Sequence, residues 1–432
     1  MRLRYLFALL PLAACAAPAA GPTASVAPTA IPPTLAATGS ATDTAGPIRP
    51  PVASGDMVFD AWAGEFYDRA VKAGISPDLV TREMAGLTPD PRVTSRDSRQ
   101  PEFSQPISAY IAGAVTDGPI ATGMKKRTEV PSLAAIEQRY GVPREILIGV
   151  WSRESAFGAI QGDFDVVRSM ASLAAQGRRR DWAEGELIAT LKIIGSGEFP
   201  RGRLKGSWAG AMGQTQFIPS TFLSTAVDGD GDGKRDIWTS APDALASAAD
   251  LLAKGGWVRG QGWAREVAVP PDFDFGLSEG PKEIPSWWAQ KGVRRADGLP
   301  WSAADQAAPA QLLAPAGAGG PVFLLFPNHF VIRKYNNSVA YALAVGLLAD
   351  RISGQGPLVR AWPNEVPLSL ADRMTAQRAL AALGFDPGQP DGVVGMGTRA
   401  QLRAWQKARG LTADGYLSPA MVEKLKAEAG GA

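Results

Sequence analysis

Glu154 stands in the segment Trp151-Ser152-Arg153-Glu154-Ser155-Ala156-Phe157-Gly158. Downstream lies Ser207-Trp208-Ala209-Gly210-Ala211-Met212-Gly213-Gln214-Thr215-Gln216-Phe217-Ile218-Pro219. The first segment supplies one carboxyl that can give and take a proton. The second supplies small residues at Ala209, Gly210, Ala211 and Gly213, which let backbone approach a bulky ligand. Ser207, Gln214 and Gln216 add neutral donors and acceptors suited to hydroxyl and acetamido groups. Together they have the chemistry of a glycan site built around one acid. A Glu-x-x-x-Gly pentapeptide alone would mark a solvated helix face ending at a glycine. The downstream segment turns Glu154 into a candidate catalytic acid.

These residues need elements to hold them. Pro143 opens a helix from Arg144 to Phe157 that ends near Gly158, with Glu154 in its last turn. Trp151 and Phe157, three residues away on either side, share its face, and a poorly solvated wall of that kind raises a carboxyl's pKa. Arg153, as an adjacent residue, is expected to point elsewhere. Upstream, 59–74 and 77–84 read as short amphipathic helices and 131–141 resumes a helical period. The stretch 85–123 reads as polar and irregular, interrupted by Phe103 and Tyr110. Downstream, 243–255 and 337–351 read as helices, the second long and apolar. Between them 263–269 and 322–326 read as strands in a Pro- and Gly-broken insertion.

The two motifs, continued through Tyr335-Asn336-Asn337-Ser338-Val339-Ala340-Tyr341-Ala342, resemble the membrane-bound lytic murein transglycosylase B family over residues 57–353. The resemblance implies a mainly α, lysozyme-like catalytic domain with a helical N-terminal part and a small β-containing insertion. It also implies that one Glu works twice, first as acid and then as base, so that a muramic acid C6 hydroxyl attacks its own C1 and leaves a 1,6-anhydro end. By the same resemblance Ser207, Gln214 and Gln216 bind around the scissile bond and Asn336 and Tyr341 make polar contacts near the acid. Tyr335 stacks or packs beside them, and Arg178 and Arg179 hold the stem peptide or lactyl carboxylate. As isolated residues, Tyr335 and Tyr341 read equally as core aromatics and the Arg pair as a solvated loop. A glycosidase normally pairs two carboxylates. No second carboxylate has a motif to place it, and Asp163 or Asp165 would have to serve in a hydrolytic muramidase. A non-catalytic, wall-binding lipoprotein is the remaining alternative.

Asp228-Gly229-Asp230-Gly231-Asp232-Gly233-Lys234-Arg235-Asp236 has the oxygen spacing of a calcium loop, with Gly233 at its sharp turn and Lys234 at the next position. Thr239 stands where an EF-hand has its closing Glu, and Asp243 is the candidate to close the loop instead. A structural calcium and a metal-free Asp-Gly turn are both open readings; catalysis is expected to need no cofactor.

Residues 368–427 form a further unit with a weak internal repeat. Gly384-Phe385 with Asp391-Gly392-Val393 matches Gly410-Leu411 with Asp414-Gly415-Tyr416. Thr398 is the expected cap of its middle helix and Ser418-Pro419 opens the last. This unit resembles the three-helix bacterial peptidoglycan-binding domain, joined through a linker at 354–367.

The chain has 432 residues, enough for two or three domains, and a formal net charge of +2, which gives no nucleic-acid footprint. With one His, His329, and one Cys, mechanisms that need several imidazoles, and any intramolecular disulfide, are excluded. Cys15 follows a basic start and a short apolar run, and Leu12-Ala13-Ala14-Cys15 resembles the lipobox of bacterial lipoproteins. Residues 1–15 then read as a lipoprotein signal peptide and Cys15 as the lipidated residue. A plain secretory signal cleaved among 17–20 is the alternative. Residues 16–56, rich in Ala, Pro and Thr, read as a flexible tether. The expectation is a periplasmic monomer, lipid-anchored to the outer membrane of a Gram-negative cell and acting on peptidoglycan strands.

Overall fold

The structure is a computed structural model that describes residues 54–98 and 106–430. Cys15, the signal-like segment and nearly all of the tether lie outside the described residues.

The N-terminal part begins with two helices whose apolar stripes each follow a capping side chain. Helix α1 (Met57–Lys72) starts where the Asp56 carboxylate accepts the Val58 and Phe59 amides, and it buries Phe59, Trp62, Phe66, Tyr67 and Ala70. Ser76 and Pro77 open α2 (Pro77–Met84). The stretch expected to be irregular folds instead into α3 (Pro91–Ser98), α4 (Ile107–Ala114) and α5 (Asp117–Glu129). The apolar period of α5 is weak because it crosses its neighbours at a glycine. A Cβ on Gly123 would lie 2.3 Å from the Ile352 Cδ1.

After α6 (Ser132–Tyr140) comes α7 (Arg144–Ser155), buried along most of its length. Two short strands, β1 (Phe164–Asp165) and β2 (Lys205–Gly206), pair antiparallel and bracket α8 (Val166–Gln176) and α9 (Arg180–Gly195). Next come α10 (Pro219–Thr225) and α11 (Ala241–Lys254).

The insertion contains β3 (Ala264–Ala268), β4 (Lys282–Glu283), α12 (Pro285–Gln290), β5 (Arg294–Arg295), α13 (Ala303–Gln306), β6 (Ala310–Leu313) and β7 (Val322–Leu325). Its sheet has the order β4-β6-β7-β3-β5, antiparallel throughout, with Ala264 opposite Leu325 and Val267 opposite Val322. Strand β7 is apolar at every position because both faces are covered. Val322 and Leu324 join the insertion's own core with Trp288 and Phe326, and Phe323 and Leu325 join the main core.

Helices α14 (Pro327–Tyr335) and α15 (Val339–Ile352) close the domain, and α15 runs through its middle. Gly149 of α7 sets the approach of these two central helices. A Cβ there would lie 2.8 Å from the Val345 carbonyl oxygen, so only glycine lets α7 and α15 come this close. That contact brings the last turn of α7 beside the first turn of α15.

The C-terminal unit is α16 (Leu370–Ala382), α17 (Met396–Ala408) and α18 (Pro419–Gly430) around Leu380, Leu402, Trp405, Val422 and Leu425. Its repeat has a physical basis. The Gln377 amide oxygen accepts the Gly392 N–H and its nitrogen donates to Asp391. Gln406 makes the same pair of bonds to Gly415 and Asp414. Thr398 does not cap α17, which starts after Gly395. Its hydroxyl is buried and accepts from Gln377.

The linker at 354–367 is held along its length. The Val359 and Arg360 amides donate to the Glu266 carboxylate, Trp362 packs on Phe323, and Tyr416 donates to Glu365. The unit docks on the insertion through a two-pronged Arg399–Glu279 pair, at 2.5 and 2.8 Å, and an Ala318 amide to Asp414 bond. The boundary between linker and module is therefore one of sequence rather than of free movement.

Candidate active site

Helix α7 ends in two consecutive left-handed residues, Ala156 at φ 49° and Phe157 at φ 60°, before Gly158 at φ 87°. Left-handed backbone at two non-glycine positions costs roughly 1–2 kcal/mol each. The surroundings hold it in place. The Phe157 amide donates to the Trp151 carbonyl and the Gly158 amide to Ser155 Oγ, while that hydroxyl donates to the Gln214 carbonyl at 2.6 Å. The turn swings Phe157 back edge-on to Trp151, with ring centroids 5.7 Å apart. Trp151 and Phe157 thus form an aromatic pair at the end of the helix that carries Glu154.

Glu154 meets Tyr341 from the first turn of α15, whose hydroxyl donates to Glu154 Oε1 at 2.5 Å. No protein group among the described residues hydrogen-bonds to Oε2. Burial pushes the Glu154 carboxyl from 4.5 up to about 7, against the Tyr341 hydrogen bond and the Arg153 charge, which both pull it down. The net shift favours the neutral acid by roughly 3 kcal/mol, so desolvation wins. Burial also pushes the phenols of Tyr341 and Tyr335 well above 10, and the negative charge of Glu154 adds to this. Tyr341 therefore remains a donor. No second carboxylate is among the groups that act on the Glu154 proton.

Tyr335, at the end of α14, stacks on Tyr341 with ring centroids 6.4 Å apart and an interplanar angle of 11°, and donates to the Thr215 carbonyl. The next residue, Asn336, is nearly buried, and its side-chain amide has no partner among the described residues.

The downstream motif folds into a tight double turn. The Ser207 amide donates to the Ala211 carbonyl, the Ser207 hydroxyl accepts the Ala211 N–H, and Met212 bridges to Phe217. Gln216 sits at φ 51° with its nitrogen donating to the Gln161 and Gly213 carbonyls, which leaves its amide oxygen without a protein donor. Gln214 faces inward. Its oxygen accepts from Trp151 Nε1 and its nitrogen donates to the Trp238 carbonyl, so it ties the motif to α7. Buried Glu186 of α9 anchors the exit of the motif by accepting from both the amide and the hydroxyl of Ser220.

Neither Asp163 nor Asp165 is among the groups that act on the Glu154 proton. Asp163 is exposed, and Asp165 caps α8 and pairs with Arg201. Arg178 and Arg179, at the junction of α8 and α9, are gathered on Asp97 of α3, and Arg179 also packs on Trp182. Arg153 does not pair with Glu154. It turns to Tyr110 of α4, donating to its hydroxyl at 3.1 Å, but its charge still reaches the acid. Tyr110 is the site residue the sequence hid. Glu154 acts on Tyr110 and Tyr110 on Tyr341, but it belongs to a helix with no strong period and no motif.

A second cluster lies where the acidic loop meets α11. Ligand oxygens of Asp228, Asp230, Asp232 and Asp243 all fall within 4.8 Å of one another. Asp243 is fully buried and accepts the Gly229, Asp230 and Asp236 amides, while Asp228 accepts those of Gly231 and Gly233. Four converging carboxylates on an ordered loop fit a calcium ion, with Lys234 following at the position that offers a backbone carbonyl. Among the described residues no helix is long and apolar enough to cross a membrane.

Comparison with known proteins identifies the family. Residues 58–350 match the transglycosylase SLT domain family, and residues 369–425 match a peptidoglycan binding domain. The chain is 33% identical over 218 residues to the membrane-bound lytic murein transglycosylase B of Escherichia coli K12. The match covers 50% of this chain and 58% of that relative. The structure of SltB3 from Pseudomonas aeruginosa in complex with NAG-anhNAM-pentapeptide superposes with a TM-score of 0.81 at 44% identity, covering 86% of this chain and all of that one. The Escherichia coli lytic transglycosylase Slt35 in complex with calcium superposes with a TM-score of 0.58 at 28% identity, over 68% of this chain and 92% of that one. With residues 58–350, more than half of its length, matched by that family, this chain belongs to the transglycosylase SLT domain family.

Proposed function

We propose that this protein is a peptidoglycan lytic transglycosylase. It cleaves the β-1,4 bond between N-acetylmuramic acid and N-acetylglucosamine and leaves a 1,6-anhydromuramic acid end. The observation that carries this reading is Glu154: a carboxyl held neutral up to about pH 7, fixed at Oε1 by Tyr341, with no second carboxylate acting on it. With Oε1 occupied, Oε2 carries the working proton. It passes to the glycosidic oxygen as the C1–O bond breaks, and the leaving sugar departs with its hydroxyl restored. The resulting carboxylate then takes the proton of the C6 hydroxyl while that oxygen bonds to C1. Glu154 ends as it began, and no water is consumed. The nucleophile is tethered to the reacting sugar, so its effective molarity is high and no group is needed to position a water. The hydrolytic alternative would need a water-activating carboxylate, and the placement of Asp163 and Asp165 gives it no support.

In this reading Ser207, Gln216 and Asn336 contact the sugar hydroxyls and acetamido groups, Tyr335 backs Tyr341, and Gln214 holds Trp151 in the wall. Arg178 and Arg179 are assigned to the stem peptide. Asp228, Asp230, Asp232, Lys234 and Asp243 would hold a calcium ion whose role is to fix the loop after the motif. The solved complexes of SltB3 with NAG-NAM-pentapeptide and of Slt35 with calcium support the two ligand classes, peptidoglycan and calcium. The C-terminal module holds the enzyme on the wall, and lipid at Cys15 anchors it in the periplasm, facing its polymer from the outer membrane.

The test is the release of soluble muropeptides from purified sacculi by the wild type and by Glu154→Gln. The amide can neither give nor take the proton, so release should fall by at least about a thousandfold. Release by the variant within tenfold of the wild type would overturn the assignment of the acid.

A further inference from the structure

The phenols that Glu154 touches or acts on, Tyr341, Tyr335 and Tyr110, are neutral. Arg153 carries a charge. Its guanidinium carbon lies 5.1 Å from the Tyr110 ring centroid, Nη2 donates to the Tyr110 hydroxyl, and Nε is buried with no acceptor. Among the described residues no carboxylate pairs with it.

An unpaired cation beside an acid that must keep its proton works against catalysis, because it stabilises the ionised form. A guanidinium with one face on an aromatic ring keeps its edge donors in a fixed plane, the arrangement that suits a carboxylate. In the glycan strand anionic groups occur only on the lactyl arm of muramic acid, as its own carboxylate or as those of an attached stem peptide. We propose that Arg153, held on the ring of Tyr110, binds a carboxylate carried by that lactyl arm. It thereby makes the cleft select muramic acid over N-acetylglucosamine beside the scissile bond. An arriving carboxylate also neutralises the charge that opposes the protonated acid, so the correct substrate completes the site.

The proposal rests on the glycan reading of the cleft, and the test separates the two. In a Glu154→Gln background, which halts turnover, calorimetry measures the dissociation constants of three soluble tetrasaccharides. One is N-acetylglucosamine only, the second alternates with muramic acid bearing a free lactyl carboxyl, and the third is the same glycan with stem peptides. Adding Arg153→Met should weaken one or both muramic acid ligands about tenfold and leave the N-acetylglucosamine tetramer within about twofold. Arg153→Lys should recover part of the loss. Arg153→Gln, which keeps polarity and removes charge, should reproduce it, so that packing is separated from electrostatics. A loss confined to the free acid assigns the contact to the lactyl carboxylate, and one confined to the peptide-bearing glycan assigns it to the stem. Equal weakening of all three ligands, or of none, overturns the proposal. If Glu154→Gln binds none of the three, the glycan reading of the cleft fails and the proposal with it.

Discussion

The Tyr341 hydroxyl donates to Glu154 Oε1 across 2.5 Å, joining the first turn of α15 to the last turn of α7 over 187 residues of sequence. The bond fixes which oxygen carries the proton, and it lowers a pKa that burial has raised. It positions the acid and limits how strongly the acid holds its proton.

Removing that bond has a predictable sign. Glu154 must be protonated to begin the reaction, so kcat/KM should fall as pH rises through about 7. In Tyr341→Phe the group that lowers the pKa is gone, and the falling limb should move to higher pH by roughly one unit, with a lower plateau because the carboxyl is less well positioned. A limb that stays in place, or moves down, contradicts this account of the bond.

Stability should depend on the same proton. The folded-state pKa of Glu154 is raised to about 7 from 4.5. The neutral acid therefore favours the fold fully below the unfolded value, and that contribution is lost as pH rises from about 4.5 through about 7. Glu154→Gln has no such loss. Relative to the wild type it should gain stability between pH 5 and pH 8, by at most about 3 kcal/mol, and show little difference at pH 4.5. Asp350, whose burial also pushes its carboxyl up to about 7, is present in both proteins and cancels. Paired denaturant titrations at pH 4.5 and pH 8 check this, and a constant difference between the proteins contradicts it.

Much of the site was legible in the sequence because its logic is local. The helix carrying Glu154 has its proline start and glycine stop, and Trp151 and Phe157 follow from spacing. The motif at 207–219 announces close backbone approach by its glycines and alanines. What the sequence concealed is contact across the fold. Gln214 reads as a ligand group, but its amide is spent on Trp151 and Trp238. Tyr110 lies on a helix whose pattern is too weak to recognise, and Gly123, at the end of the stretch read as irregular, marks a helix crossing. The sequence marks 354–367 only as a linker, and its fixation by Glu266 and Tyr416 comes from partners about 50 to 100 residues away in the chain.

Calcium should stabilise the fold by linkage, because four carboxylates within 4.8 Å repel one another until a cation joins them. Adding calcium at about a hundred times its dissociation constant should contribute roughly 2.7 kcal/mol and raise Tm by several degrees. Asp228→Ala with Asp232→Ala should abolish the response. Identical melting curves in calcium and in chelator would leave the loop as a metal-free turn.

The C-terminal module should supply local concentration rather than transition-state stabilisation. Truncation at Gly356 should weaken sacculus binding at least about tenfold while turnover of short soluble glycans stays within about twofold. Glu279→Ala, which removes the partner of Arg399, should leave sacculus binding intact and make the 354–367 strap more open to limited proteolysis. A collapse of fragment turnover on truncation would mean that the docked module shapes the active site.

The central claim is that the C6 hydroxyl, and not water, attacks C1. Digestion of sacculi by the wild-type enzyme in oxygen-18 water tests it most directly, with product masses read by mass spectrometry. The account predicts muropeptides one water lighter than hydrolysed ones, with no heavy oxygen at the muramic acid end. Products of hydrolysed mass carrying one heavy oxygen at that end would contradict it.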